Sequence, residues 1–211
     1  LISIIIPIRN EVKSIKRTID SILYQNEMDQ QIEILIADGM SHDGTREIIE
    51  GYLQNNENIH LIDNPEKIVS TGFNRALSKS TGEIIIRVDG HSIIHYDYVS
   101  KCKQQLNQKN CACVGGLIQP LGISIITKII TLATSSKFGV GNSKFHYSKN
   151  SCWSDTVYLG AYKREVFEKI GGYDEELVRN QDDEFNFRMI QNGGKIWLDP
   201  SIKSTYYPRN S

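Results

Sequence analysis

The chain has 211 residues, enough for one sizeable hydrophobic core or at most two small domains. Its 39% hydrophobic and 23% charged residues are ordinary for a globular domain. The formal net charge of -1 argues against bulk nucleic-acid binding, which requires a basic surface. Any anionic ligand must therefore be bound by a few local side chains.

The four cysteines form no CxxC pair and occupy Cys102, Cys111, Cys113 and Cys152. This spacing does not favour a metal cluster or a disulfide framework. We interpret these residues as small buried thiols of a reducing compartment.

The longest apolar run covers residues 123–134 and contains Lys128. It is too short to cross a bilayer, and its isoleucines recur at helical spacing. We predict an amphipathic helix that packs on the core, with a membrane-surface role as the alternative. No secretory signal opens the chain.

Buried strands and amphipathic helices alternate through the first half. The predicted strands are residues 1–7, 32–38, 59–63 and 83–89. The predicted helices cover residues 11–25, a segment around Ile48 to Leu53 that Asp43 is placed to cap, and residues 71–80. Strands without polar alternation, separated by helices, indicate an α/β fold with a parallel sheet covered on both faces.

The second half is less regular. Residues 111–120 predict a strand in which Gly115 and Gly116 allow close backbone approach. Residues 138–155 are rich in Gly, Ser, Asn and Lys and predict a long loop. A strand and a helix at 163–170 follow, and then a helix that begins after Asn180 and ends near Gly193.

Polar residues follow three of the predicted strands. The segment PIRNE (7–11) follows the first, Asp38 ends the second, and Asp89, Gly90 and His91 follow the fourth. Each alone fits a turn, but in a parallel sheet ligands bind beyond the carboxyl ends of the strands. Carboxylate and imidazole are both metal ligands, so a cation site is the alternative to a turn at residues 89–91. Neither GxGxxG nor a P-loop is present.

The last predicted helix opens with Asp182, Asp183 and Glu184. Acidic residues in a first turn favour the helix dipole, which is the purely structural interpretation. The run of polar residues before the apolar stripe also allows one carboxylate to point toward a ligand bound at the carboxyl ends of the strands.

Several segments together resemble family 2 glycosyltransferases with a GT-A fold, over nearly the whole chain. They are SIIIPIRNE, ILIADGMSHDGT, RVDGHS, GAYKREVFEKIGGYDEEL and NQDDEFNFR. RVDGH, FGVGNSKFH, SDTVYLGAYKREVF, RNQDDEFNFR and TYYPR resemble most closely the succinoglycan-biosynthesis type of bacterial polysaccharide transferases. The resemblance implies a Rossmann-like, mostly parallel sheet with helices on both faces. It also implies a nucleotide-sugar half at 1–115 and an acceptor half at 116–211.

On the nucleotide side, the resemblance implies that Pro7, Arg9 and Glu11 lie where the first strand meets the nucleotide. Asp38 matches the acid that hydrogen-bonds the uracil ring, so the implied donor is a UDP-sugar.

Asp89 matches the first acid of the DxD signature, near the ribose and the diphosphate. His91 takes the position of the second, metal-binding acid, which is a departure from the usual pattern. Neutral imidazole is a competent ligand for manganese, and the site has one negative charge fewer. The resemblance therefore implies Mn²⁺ in preference to Mg²⁺.

Asp182 matches the expected catalytic base, and Asp183 beside it is the second candidate. Gln181 stands where the family usually has Glu. A carboxylate here would take the proton of the acceptor hydroxyl during a single, inverting displacement.

The implied function is transfer of a sugar from a nucleotide donor to a saccharide or lipid-linked saccharide in cell-surface or exopolysaccharide synthesis. Relatives of this type carry membrane segments beyond the catalytic domain. We therefore expect a domain excised from a longer protein at the cytoplasmic face of the cell membrane.

Two alternatives stay open from the sequence. Because of His91 and Gln181, the chain could be a catalytically impaired protein that only binds sugar nucleotides. A sugar nucleotidyltransferase is less favoured, because that class usually has a Gly-rich loop with a basic residue after the first strand and PIRNE has no glycine.

Overall fold

A computed structural model of the chain describes residues 1–25, 32–120, 145 and 148–206. The first half alternates strands and helices as predicted. Its elements are β1 (Ile2–Ile8), α1 (Ile15–Leu23), β2 (Ile32–Asp38), α2 (Thr45–Leu53), β3 (Ile59–Asp63), α3 (Val69–Lys79) and β4 (Ile84–Arg87). Helix α1 begins four residues later than predicted, because the chain first turns with the Ser14 amide donating to the Glu11 carbonyl at 3.0 Å.

The second half contains more strand than the sequence patterns predicted. Its elements are β5 (Ser92–Ile94), α4 (Tyr98–Lys109), β6 (Cys113–Pro120), β7 (Cys152–Ser154), β8 (Tyr158–Lys163), α5 (Arg164–Ile170), α6 (Gln181–Gln191) and β9 (Ile196–Tyr206). The long strand β9 and the short strands β5 and β7 were not predicted. The amphipathic helix predicted at 123–134, and most of the loop predicted at 138–155, lie outside the described residues.

The nine strands of the described residues form one sheet in the order β3-β2-β1-β4-β8-β6-β9-β5, with β7 paired to β9. Strand β1 pairs in parallel with β2 and β4, and β2 pairs in parallel with β3. Strand β8 is antiparallel to both β4 and β6, whereas β6 and β9 are parallel. The carboxyl end of β4 therefore lies beside the beginning of β8, and both lie at one edge of the sheet.

Hydrophobic clusters cover both faces of the sheet. Along β1, Ile4 and Ile6 belong to one cluster and Ile5 to the other. Along β4, Ile86 packs with the first cluster and Ile85 with the second. Successive side chains of a strand point to opposite faces, so a strand buried on both faces shows no polar alternation.

Two further features of the described residues are the state of the cysteines and the length of the helices. Cys102, Cys111 and Cys113 are buried, and all four cysteines are unpaired, as interpreted from their spacing. Burial raises the pKa of the Cys113 thiol well above its usual range. Within the described residues, no helix is both long and apolar enough to cross a bilayer.

Candidate active site

A cleft of about 600 Å³ opens at the carboxyl ends of β1 and β4. Four of the predicted site residues line it: Pro7, Arg9, Asp89 and His91. Its other lining residues were not predicted as contacts, and they are Ile8, Asn10, Asn64, Lys67, Ile68, Val69, Arg87, Gly90 and Tyr206. Parallel strands explain why residues so distant in sequence meet here.

The carboxylate of Asp89 is held from two sides. Its Oδ1 accepts hydrogen bonds from Arg87 Nε at 3.3 Å and Nη2 at 3.1 Å. Its Oδ2 accepts a hydrogen bond from the Tyr158 hydroxyl at 3.3 Å. Burial and the nearby Asp89 raise the pKa of Tyr158 well above its usual value, so the phenol stays protonated and donates. The Asp89 carboxylate is thus held in a fixed direction and lines the cleft.

Gly90 lets β1 and the segment after β4 approach closely. A Cβ at this position would lie 2.6 Å from Ile8 Cγ2 and 3.1 Å from Glu11 Cγ. The Gly90 carbonyl also accepts a hydrogen bond from the buried Thr18 hydroxyl at 3.0 Å. A larger residue would require the Ile8 side chain to shift, so glycine lets Asp89 and His91 lie close to β1.

His91 is oriented by a buried carboxylate. Its Nδ1 lies 3.0 Å from Glu11 Oε1, and the two side chains are 17% and 7% exposed. Glu11 Oε2 also accepts a hydrogen bond from Ser14 at 2.7 Å. Because a carboxylate only accepts, Nδ1 is the donor in this hydrogen bond, and Nε2 is the ring nitrogen left for another partner. The His91 ring also meets Tyr206 edge-on, with the centroids 5.2 Å apart.

Asp38 ends β2 as predicted, but its side chain is fully buried. Its oxygens accept hydrogen bonds from the Ser41 amide at 3.2 Å and the Ser41 hydroxyl at 2.5 Å. Arg46 lies 3.3 Å from Asp38 and pairs more closely with Asp63 at 2.7 Å. Neither Asp38 nor Glu11 lines the cleft. Both carboxylates are instead bound by protein groups that direct contact with a nucleotide would have to displace.

The loops after β1 and β2 are tied to each other. Asn10 has a left-handed backbone with φ 56°, and its amide donates to the Ser41 hydroxyl at 2.8 Å. The His42 amide donates back to Asn10 Oδ1 at 3.1 Å. Lys67, which also lines the cleft, has φ 65°. Non-glycine residues with positive φ are uncommon and concentrate at functional sites.

The two candidate base residues open α6. Phe185 and Met189 are buried beneath the helix and anchor it against the sheet. Neither Asp182 nor Asp183 lines the cleft, but Asp182 Oδ2 lies 3.5 Å from Nη1 of the cleft residue Arg87. Asp183 turns away and accepts a hydrogen bond from Thr156 at 3.3 Å. Partial burial and the neighbouring Asp182 raise the pKa of the Asp183 carboxyl.

The predicted cation ligands fit a divalent metal in their chemistry. Asp89 and His91 lie on the same cleft wall, and the Glu11–His91 pair is the carboxylate–imidazole arrangement that orients metal-binding histidines. Among the described residues no group of three or more ligating side chains is assembled. A cation would therefore take its remaining ligands from phosphate oxygens and water, as Mg²⁺ and Mn²⁺ do in phosphate sites.

Solved structures match this fold closely. The TarS structure from S. aureus in complex with UDP-GlcNAc has a TM-score of 0.79 at 18% identity, covering 100% of this chain and 59% of that one. The mannosyltransferase PcManGT from Pyrobaculum calidifontis, in complex with GDP-Man and Mn²⁺, has a TM-score of 0.76 at 19% identity, covering 100% and 58%. The fold is thus the GT-A fold of nucleotide-sugar-dependent glycosyltransferases, as the sequence resemblance implied.

The family model for glycosyl transferase family 2 matches residues 3–171. Since this is most of the chain, the protein belongs to glycosyl transferase family 2.

Two curated relatives match the chain over essentially its full length. The succinoglycan biosynthesis protein ExoA of Rhizobium meliloti (strain 1021) is 31% identical over 208 residues, which are 98% of this chain and 63% of the relative. The dolichyl N-acetyl-alpha-D-glucosaminyl phosphate 3-beta-D-2,3-diacetamido-2,3-dideoxy-beta-D-glucuronosyltransferase of Methanococcus voltae is 30% identical, covering 100% of this chain and 68% of the relative. The chain thus spans about two thirds of the length of these relatives.

Proposed function

We propose that this chain is the catalytic part of an inverting glycosyltransferase. It moves a sugar from a UDP-sugar to a saccharide or lipid-linked saccharide in cell-surface or exopolysaccharide synthesis. One observation carries the proposal: the donor-side carboxylate Asp89, which lines the cleft, and the acceptor-side carboxylate Asp182 both contact the cleft residue Arg87, at 3.1 and 3.5 Å.

The nucleotide is proposed to enter the cleft between Pro7 and Arg9 on one wall and Asp89 on the other. Exposed basic side chains, Arg9 and Lys67, line this space and suit a diphosphate. We propose that Asp38 acts on the nucleobase indirectly, through Ser41 and Arg46, because these two residues bind the oxygens of the Asp38 carboxylate.

A divalent cation, Mn²⁺ in preference to Mg²⁺, is proposed to bind Asp89 and the Nε2 of His91. When bound, it offsets the negative charge that develops on the departing diphosphate. Glu11 serves this site by holding the His91 ring, and Tyr158 and Arg87 hold the Asp89 carboxylate.

Asp182 is the proposed base, with Asp183 as the second candidate. The acceptor hydroxyl gives its proton to the carboxylate while its oxygen bonds to the anomeric carbon, and the bond from that carbon to the diphosphate breaks. Attack from the face opposite the leaving group inverts the configuration. Asp182 is favoured because it contacts the cleft residue Arg87, whereas Asp183 pairs with Thr156.

The relatives support the substrate class without fixing the sugar. One is named for succinoglycan biosynthesis and another as a glucuronosyltransferase acting on a dolichyl phosphate-linked sugar. By analogy we propose action on a growing or lipid-linked saccharide at the inner face of the cell membrane, with membrane contact through segments outside this sequence.

The test is sugar transfer by the purified chain from a panel of UDP-sugars in the presence of Mn²⁺. We expect Asp182→Asn to lower turnover by at least ~100-fold, the scale of a lost general base, while UDP affinity is retained. Asp183→Asn is the matched control and should be milder. A loss of turnover in Asp183→Asn alone would identify Asp183 as the base. Full activity in both variants would mean that the two acids only stabilise the start of the helix through its dipole.

A further inference from the structure

Arg87 is a charged side chain in an otherwise apolar strand. It is the last residue of β4, two positions after Ile85, so its side chain points to the face that carries Tyr173 and Phe185. The Arg87 side chain is 12% exposed. Burial opposes its charge, but the nearby carboxylates of Asp89 and Asp182 outweigh this and keep the pKa of Arg87 well above its ordinary value.

The guanidinium of Arg87 contacts both halves of the proposed active site. Two of its nitrogens, Nε and Nη2, donate to Asp89 Oδ1 at 3.3 and 3.1 Å. The third, Nη1, lies 3.5 Å from Asp182 Oδ2, which is an ion-pair distance. The ring of Tyr173 covers one side of the group, with its centroid 5.8 Å from Arg87 Cζ.

A small polar cavity lies beside the contacts of Arg87 with Asp89 and Asp182. It has a volume of about 20 Å³, and Arg87, Asp89, Tyr158, Tyr173 and Asp182 are among its lining residues. Arg87 Nη1 and the Tyr173 hydroxyl are buried without a hydrogen-bond partner among the described residues. A cavity of this size with several polar groups has room for one water molecule.

We propose that Arg87 is a positioning residue of the transfer reaction, which fixes the base carboxylate of Asp182 relative to the donor-binding carboxylate of Asp89. Tyr173 assists by holding, together with Arg87 Nη1, one water beside Asp182. The inference rests on the proposed function, because it assigns to Arg87 a role in that same reaction. No bond to Arg87 forms or breaks.

The chemistry of arginine suits this role. A planar guanidinium can pair with two carboxylates at once in a fixed geometry, which a lysine ammonium cannot do. Asp182 is 44% exposed and sits in the first turn of a helix, so without Arg87 its side chain is free to rotate toward solvent, away from Asp89. A misplacement of about 1 Å at a reacting group can cost ~100-fold in rate.

The test is a double-mutant cycle between Arg87→Met and Asp182→Asn, read as kcat and KM for donor and acceptor. Arg87→Met alone should lower kcat by about 100-fold with a smaller change in the donor KM. In the Asp182→Asn background the same change should cost little more, because Arg87 acts through Asp182. Arg87→Lys should restore the donor KM through Asp89 but recover only part of kcat.

The matched control is Arg164→Met, which removes a partly buried arginine at the other end of the sheet. Arg164 donates to the Gly82 carbonyl at 2.5 Å and the Ser80 hydroxyl at 2.8 Å. This variant should lose stability but keep kcat at temperatures well below its Tm. Normal kcat in Arg87→Met, or losses that simply add in the double variant, would overturn the proposal.

Crystal structures of the wild-type chain and of Arg87→Met separate this inference from the proposed function. We expect Asp182 to keep its orientation, with a water bonded to Arg87 and Tyr173, only in the wild type. An unchanged Asp182 in the variant would overturn the positioning role even if the wild type transferred no sugar. Conversely, a wild type without transfer but with the expected Asp182 rotation would contradict the proposed function alone.

Discussion

The imidazole of His91 contacts the Glu11 carboxylate through Nδ1 and packs against the Tyr206 ring in a T-shaped arrangement. The carboxylate accepts a hydrogen bond from Nδ1 at 3.0 Å, so Nε2 is left to accept a hydrogen bond or to bind a metal. Glu11 itself is buried and is further held by Ser14 at 2.7 Å. If His91 were only a turn residue, its ring would not need to be held by Glu11, nor Glu11 by Ser14.

We predict that His91→Ala weakens Mn²⁺ binding to the chain in the presence of UDP, because it removes one of two proposed protein ligands. Glu11→Gln should weaken the same binding by about 10–100-fold, as loss of an orienting partner does at metal sites. His91→Asp should retain binding and tolerate Mg²⁺ better. The measurement is titration calorimetry or the electron paramagnetic resonance of free Mn²⁺.

His95→Ala is the control for the loss of an imidazole, since His95 is half exposed and pairs with Asp97 outside the cleft. It should leave Mn²⁺ affinity unchanged. Wild-type affinity in His91→Ala would mean that residues 89–91 form a turn and nothing more.

At the scale of elements, the pairing of β6 with β8 and β9 depends on two glycines, Gly115 and Gly116. The register of β6 shifts between Val114 and Gly116 against β8, and again near Gly115 against β9. A Cβ on Gly115 would lie 2.6 Å from Val157 Cβ. A Cβ on Gly116 would overlap the Ile202 carbonyl and lie 2.6 Å from Ile202 Cβ. The close backbone approach predicted for these glycines is confirmed.

Gly116→Ala should therefore strongly destabilise the fold, because β9 backbone atoms would have to move, and over-packing of this kind typically costs about 1–3 kcal/mol or more. Gly51→Ala is the matched control: it lies in α2 and a Cβ there meets nothing within 4 Å. Removing a helical glycine should stabilise by about 0.5–1 kcal/mol. Chemical denaturation of both variants gives the comparison, and equal stability of the two would contradict the packing argument.

At the scale of the whole molecule, two halves meet along the pairing of β4 with β8. The parallel half supplies most of the cleft lining, including Pro7 and Asp89, and the mixed half supplies Tyr206. A ligand that fills the cleft contacts residues from both halves. Its binding should accordingly stabilise the molecule as a unit.

We predict that UDP with Mn²⁺ raises Tm more than ADP or GDP with Mn²⁺, because only the folded state binds and the gain grows with affinity. Chelation of the metal should remove most of the UDP effect. Asp38→Asn should reduce the difference between UDP and the purine nucleotides. Equal shifts for all three nucleotides would contradict the role of Asp38, and shifts insensitive to chelation would contradict the metal site.

The sequence by itself determined the parallel half of the sheet and the rim of candidate residues. Apolar runs buried on both faces and separated by helical stripes leave few other arrangements, and strand ends then place Arg9, Asp38 and Asp89 at one edge. The family motifs extended the prediction of the fold to the less regular second half of the chain. They did so even though β9, which contains the strand-disfavouring residues Asp199 and Pro200, was not predicted as a strand.

Only the tertiary structure decided which side chains face the ligand and which support them. Glu11 and His91 are 80 residues apart in sequence, and Tyr158 and Asp89 are 69 apart. No local periodicity encodes such pairs, because they depend on how strands and helices pack. For the same reason, burial of Asp38 beneath Ser41 and the contact of Arg87 with Asp182 emerged from the folded chain alone.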